Sequence, residues 1–136
     1  MEKYLFDTCA MIAFFEKETG AEKVKNILMQ AAQSECLILL HNASVAELYY
    51  DAMRSAKQEE EAILQSLISY PITFIENITT DMIKWIGYFK TSYKISFADS
   101  FVLATAKLND AKVVTSDHHE FDVIDKSGDL QFEWIR

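Results

Sequence analysis

The chain has 136 residues, half of them apolar and a quarter charged, enough for one domain that buries a core without disulfides or a structural metal. Three glycines and the single Pro71 exclude a disordered, collagenous or low-complexity chain and leave little room for an all-β design of tight turns. The formal net charge of −8, taken alone, argues against nucleic-acid binding, which needs basic surface to neutralise phosphate.

Tyr4-Leu5-Phe6 is apolar and stops at Asp7, which predicts a buried strand with a helix directly behind it. Ala21, Val24, Ile27, Leu28 and Ala31 then recur at helical spacing. Leu37-Ile38-Leu39-Leu40 is too short for a helix and predicts a second buried strand. Val45, Leu48, Tyr49, Ala52, Met53 and Ala56 form an i, i+3, i+4, i+7 stripe, and Ile63, Leu64, Leu67 and Ile68 continue it as far as Pro71. Thr73-Phe74-Ile75 predicts a short third strand. Met82, Ile83, Trp85, Ile86 and Phe89 mark one more helix, and Phe97, Phe101, Ala104 and Leu108 the next. Val113-Val114 predicts a fourth strand, and Phe132 to Ile135 alternates as a closing strand at a sheet edge. Strands alternating with helices imply an α/β fold with a mainly parallel sheet, without internal repeat or domain boundary, so residues 1–136 are expected to form one domain.

Cys9 and Cys36 lie in apolar stretches without C-x-x-C spacing and are expected to be buried free thiols of a cytoplasmic protein. No basic and apolar leader opens the chain, and no apolar run approaches the ~20 residues of a spanning helix, so no membrane partner is expected.

Most of the acidic residues fall on solvated faces, as Glu59-Glu60-Glu61 does. Four do not. Asp7 ends the first strand, and Asp117 follows the fourth. Glu47 is expected in the first turn of the helix after the second strand, and Asp99 in the first turn of the helix before the fourth. The carboxyl ends of parallel strands and the N-termini of the following helices share one edge of the sheet, where ligand crevices form. Each residue has an ordinary structural explanation: Asp7 and Asp117 as caps, Ser44-Val45-Ala46-Glu47 as a capping box, and Ser96-Phe97-Ala98-Asp99 as nearly one. Caps account for position but not for convergence. Clustered carboxylates repel each other unless a cation neutralises them, and Mg²⁺ or Mn²⁺ prefers such oxygen ligands. A cation there lowers the pKa of water and stabilises phosphate oxygens, which suggests phosphodiester hydrolysis rather than zinc or redox chemistry.

In order along the chain, these motifs resemble the PIN domain family, and within it the toxin ribonucleases of VapBC toxin–antitoxin modules. Tyr4-Leu5-Phe6-Asp7-Thr8 resembles the family's strand ending in Asp-Thr, and Ser44-Val45-Ala46-Glu47-Leu48 its Ser/Thr-x-x-Glu helix start. Phe97 to Ala106 resembles its Asp-led, Ala-rich helix. Val113-Val114-Thr115-Ser116-Asp117 resembles its strand ending in Thr-x-Asp, with His118-His119-Glu120-Phe121 as the trailing loop. The resemblance implies a three-layer α/β/α sandwich, with Asp7, Glu47, Asp99 and Asp117 around Mg²⁺ or Mn²⁺. It further implies metal-dependent endonucleolytic cleavage of RNA, a homodimer and a cognate antitoxin. Thr8, Thr115 and Ser116 would orient ligands or water through their hydroxyls.

Such toxins often carry Arg or Lys near the groove. Here the stretch after Asp117 offers His118 and His119, either phosphate contacts or bystanders, and Asp122, either a fifth acid or, as favoured, a turn residue. Lys3, Lys90, Lys94 and Lys107 are the available cations. The alternatives to a toxin are a PIN nuclease of RNA processing or decay without an antitoxin, and a catalytically silent PIN-like binding module. A flavodoxin-like response regulator ranks last, because it needs paired early acids and a late lysine.

Overall fold

The computed structural model describes residues 1–136. Five strands form one sheet: β1 (Glu2–Phe6), β2 (Cys36–His41), β3 (Thr73–Ile75), β4 (Lys112–Thr115) and β5 (Phe132–Trp134). Their spatial order is β3-β2-β1-β4-β5, and every neighbouring pair is parallel. The closing strand does lie at an edge, paired with β4. The helices are α1 (Thr8–Phe15), α2 (Ala21–Ala32), α3 (Asn42–Ser55), α4 (Glu60–Ser69), α5 (Thr80–Ser92), α6 (Phe97–Asn109) and α7 (His118–Ser127).

Strand alternation divides the core into two layers. Tyr4, Phe6, Ile38, Leu40 and Val114 pack with Met11, Val24, Ile27, Leu48, Ile63 and Leu67, which places α1 to α4 on one face. Leu5, Leu39 and Val113 pack with Phe89, Val102, Leu103, Phe121 and Ile124, which places α5 to α7 on the other. Right-handed crossovers produce this division, because the chain steps from β1 through β2 to β3 in one direction and then returns to β4 and β5 in the other. The architecture is the expected three-layer α/β/α sandwich. The reversal of direction falls between β1 and β4, the kind of switch point where open α/β sheets bind ligands beyond the strand ends. No helix is long and apolar enough to cross a membrane.

Three local expectations need correction. Residues after Asp117 form α7, not a loop, because the Asp117 side chain accepts from the Glu120 N–H and caps a helix whose Phe121 and Ile124 enter the core. Asp122 is therefore a helical residue rather than a turn residue. Helix α3 starts earlier than Ser44: His41 Nδ1 accepts from the Ala43 N–H at 2.9 Å and serves as the cap. Ser44 is buried instead of capping, and Glu47 lies in the second helical turn. In α6 the core-facing residues are Val102, Leu103, Ala104 and Ala106, while Phe97 and Leu108 of the expected stripe are exposed.

Candidate active site

The site begins with Asp7, the first residue after β1, which extended backbone delivers to the N-terminus of α1. It is nearly fully buried, at 5% exposure. Its Oδ1 accepts from the Thr8 N–H at 2.8 Å, so it is indeed a cap. Its Oδ2 accepts from the Thr115 hydroxyl at 2.8 Å and the Cys9 thiol at 3.1 Å. Burial nevertheless raises its pKa above the ordinary carboxylate value, and the negative charge of Glu47 adds to the rise.

Thr115, the last residue of β4, connects two of the acids. The same hydroxyl that donates to Asp7 accepts from the Asp117 N–H at 3.0 Å. Asp117 in turn caps α7. On the opposite side of Asp7, the Thr8 hydroxyl donates to Glu47 Oε1 at 2.8 Å and holds that side chain over the edge of the sheet from α3. Ser96 caps α6 by accepting from the Asp99 N–H at 3.0 Å, as its spacing suggested.

Asp99 senses several of the other acids. Burial, then the charge of Asp7, then those of Asp117 and Glu120 push its pKa up to about 7, against the lowering contribution of Ser96. The helix N-terminus on which it sits favours a carboxylate, and the crowding outweighs that preference. None of the four carboxylates takes part in an ion pair. The side chains as they stand form no group of three or more His, Cys, Asp or Glu residues close enough to hold a metal ion. The acids thus share one edge and feel one another's charge without closing into a cluster, two of them with oxygens turned to threonine hydroxyls. A set of carboxylate oxygens, with the pKa values of Asp7 and Asp99 raised and no ion pair to any of the four, fits a hard divalent cation and does not fit zinc held by Cys or His.

Two members of the site escaped the reading of the sequence. Cys9 is only partly buried and packs among Asp7, Thr115 and Ser116. Burial, followed by the Asp7 charge, pushes its thiol up to about 12, so it stays protonated and donates. Glu120 adds a further negative charge near Asp99. The D-x-x-E spacing of Asp117 and Glu120, a capping-box pattern, was the available signal.

The remaining expected contributors are also placed. Ser116 stands beside Cys9, with its N–H 3.4 Å from the sulfur. His118 stacks on Trp134 with centroids 3.8 Å apart, and its nitrogens contact Asp122 and the Arg136 carbonyl, so it serves packing. That carbonyl and then Asp122 raise its pKa. His119 projects into solvent. Lys107 lies at the far end of α6 bonded to the Asp129 carbonyl, Lys90 donates to the Ile95 carbonyl, and Lys3 starts the opposite edge of the sheet. Only Lys94, exposed just before α6, neighbours the acidic edge in sequence.

The PIN domain family model matches residues 4–127, and the chain belongs to that family. Its fold recurs in the VapBC2 complex of Rickettsia felis bound to a fragment of promoter DNA, with a TM-score of 0.76, 21% identity and coverage of 97% of this chain and 98% of that one. It also recurs in DNA-bound VapBC from Salmonella typhimurium (TM-score 0.74, 17% identity, all of both chains). VapBC-1 from nontypeable Haemophilus influenzae is similar as well (TM-score 0.70, 20% identity, 98% of both). No curated protein sequence matches the chain.

Proposed function

We propose that this PIN domain is a metal-dependent endoribonuclease and the toxin of a type II toxin–antitoxin pair. The observation that carries the proposal is geometric: Thr8 and Thr115 tie Glu47, Asp7 and Asp117 together at the strand ends, and neither these three acids nor Asp99 forms an ion pair. A structural carboxylate is ordinarily paired, so a set of unpaired ones at the switch point is costly unless it serves a cation. Asp7, Glu47, Asp99 and Asp117 would hold Mg²⁺ or Mn²⁺. When bound, the cation would supply charge to the scissile phosphate and acidify water. Thr115 fixes Asp7 and sets its spacing from Asp117, Thr8 fixes Glu47, and Ser116 offers a hydroxyl beside them. Asp7 is buried, and the Thr115 hydroxyl and Cys9 thiol fix the position of its Oδ2.

The toxin role is supported by the likeness to VapBC complexes across the whole length of the chain. A homodimer and a bound antitoxin complete this proposal. Exposed Tyr50 and Met53 on α3, beside Val45 and Leu64 in a shallow apolar groove, provide surface for protein partners.

The test is cleavage of a mixed RNA pool with Mg²⁺ or Mn²⁺ and with EDTA, comparing the parent chain with Asp7→Asn. Metal-dependent products that disappear in the variant are expected, with a loss of at least about 100-fold, the upper end for residues that merely support ligands. Equal cleavage by both would remove Asp7 from the mechanism, and metal-independent cleavage would overturn the proposal. Expression should arrest growth, and Asp7→Asn should relieve the arrest.

A further inference from the structure

Phe97 is the first residue of α6, two before Asp99, and stands 61% exposed at the acidic edge. It packs into none of the three apolar clusters of the core. Its one close aromatic neighbour is Phe101, which meets it edge to face with centroids 5.2 Å apart. Phe101 lies against the His41 ring at 5.4 Å and against the apolar cluster of Met82 and Ile86. His41 is itself fixed: Nδ1 accepts from the Ala43 N–H, so the proton sits on Nε2 and points to the Asn77 carbonyl at 3.2 Å. A braced row of rings therefore runs from the end of β2 to the tip of α6 and ends in one free aromatic face.

We propose that Phe97 is a stacking platform for an unpaired nucleobase of the RNA strand, flanking the phosphate cut at the acidic site; this rests on the nuclease function proposed above. Phe97 and Asp99 share the first turn of α6, two residues apart, so the ring and the carboxylate occupy the same end of the helix on different sides of it. The surroundings favour a base over other occupants. Asp99, Asp117 and Glu120 make the edge negative, and the base is the uncharged, flat part of a nucleotide. A chain of net charge −8 has little phosphate-neutralising surface to spend on affinity, and stacking is the sequence-tolerant contribution that needs none. Lys94, exposed three residues earlier and in no ion pair, can meet the phosphate next to that base. A second copy of the chain fits less well, since one ring of about 200 Å² is far below the ~800 Å² per partner of a stable interface.

The experiment measures binding of a short single-stranded RNA that the parent chain cuts. Full-length Asp7→Asn protein is used so that the RNA stays intact, with and without Phe97→Ala, Phe97→Leu and Phe97→Trp. Phe97→Ala is expected to weaken binding by about 5- to 150-fold, the range for loss of one base–aromatic stack. Phe97→Trp should bind like the parent, and Phe97→Leu, equally apolar, should not. Scanning an abasic nucleotide through the RNA should find one position that costs the parent the same factor and costs Phe97→Ala nothing more. Full binding by Phe97→Ala or Phe97→Leu overturns the proposal. So does sedimentation in which Phe97→Ala dissociates a dimer and Phe97→Leu restores it. With native Asp7, equal kcat/KM for metal-dependent cleavage by the parent and by Phe97→Ala removes the platform alone. No cleavage and no RNA binding by the parent removes the nuclease function with it.

Discussion

The two ends of α6 meet carboxylates in opposite electrostatic situations, Asp99 from its own first turn and Asp129 from the segment after α7. At its C-terminal end, Asp129 accepts from the Tyr88 and Tyr93 hydroxyls at 2.6 and 2.8 Å and faces Lys107 at 3.9 Å, and the Tyr88 bond leads in lowering its pKa. Lys107 also spans the last turn of α6 and lies over Trp85 at 5.4 Å, a placement the helix dipole favours. At the N-terminal end, Asp99 has the dipole in its favour and still rises to about 7, because burial and Asp7 outweigh it. One end is a finished structural network. The other withholds its counter-charge, and that difference separates a binding edge from a scaffold.

The largest expected effect reverses sign between these ends. Asp129→Asn should destabilise the metal-free protein by about 1 kcal/mol, with solvent screening allowed for, or about 3–5 °C in Tm. Asp99→Asn, by removing an uncompensated charge, should raise the Tm at pH 8. Saturating Mg²⁺ should then stabilise the parent and Asp129→Asn by about 2.7 kcal/mol at 100 times Kd, and leave Asp99→Asn unmoved. Thermal melts with and without Mg²⁺ check both. If both variants melt lower and both respond to Mg²⁺, the two ends are alike and the site is misplaced.

A smaller effect follows the same carboxylate through pH. In the unfolded chain Asp99 loses its proton near 3.8, and in the folded chain only near 7. Across that window the unfolded state binds fewer protons, so this group's contribution makes stability fall as pH rises from about 4 to 7. The slope of Tm against pH in EDTA should therefore be more negative for the parent than for Asp99→Asn, and Mg²⁺ should flatten it. Parallel slopes would place Asp99 in an ordinary solvated environment.

Much of this was legible in the sequence, and what was not has local causes. Runs such as Leu37–Leu40 are buried on both faces and read as strands without ambiguity. The sheet edge that gathers Asp7, Glu47 and Asp117 follows from parallel topology, whereas Asp99 joins it only because α6, which follows another helix, starts near Asp7 and Asp117. Helix α7 was hidden because His118, His119, Glu120, Asp122 and Asp125 surround two core residues, so its apolar face is only Phe121 and Ile124 wide. Glu47 was placed a turn early because a histidine, an uncommon cap, starts α3 in place of Ser44. Phe97 matched the helical period yet lies beyond the end of the sheet, where nothing covers it.

The finest distinction is between the two donors on Asp7. Thr115 and Cys9 both reach Oδ2, at 2.8 and 3.1 Å, but a hydroxyl is a good donor and a thiol a weak one. Thr115→Val strips a charge-assisted bond from a buried carboxylate and also frees the Asp117 N–H, for about 1–3 kcal/mol. Cys9→Ala leaves the Thr115 bond in place, and its cost should stay below about 1 kcal/mol. Denaturant melts at pH 8 rank the two, and terbium titration separates stability from cation affinity. Thr115→Val should weaken terbium binding about 10- to 100-fold, as loss of a ligand-orienting partner does, whereas Cys9→Ala should shift it less. The reverse order would make the thiol, rather than the hydroxyl, the group that positions Asp7.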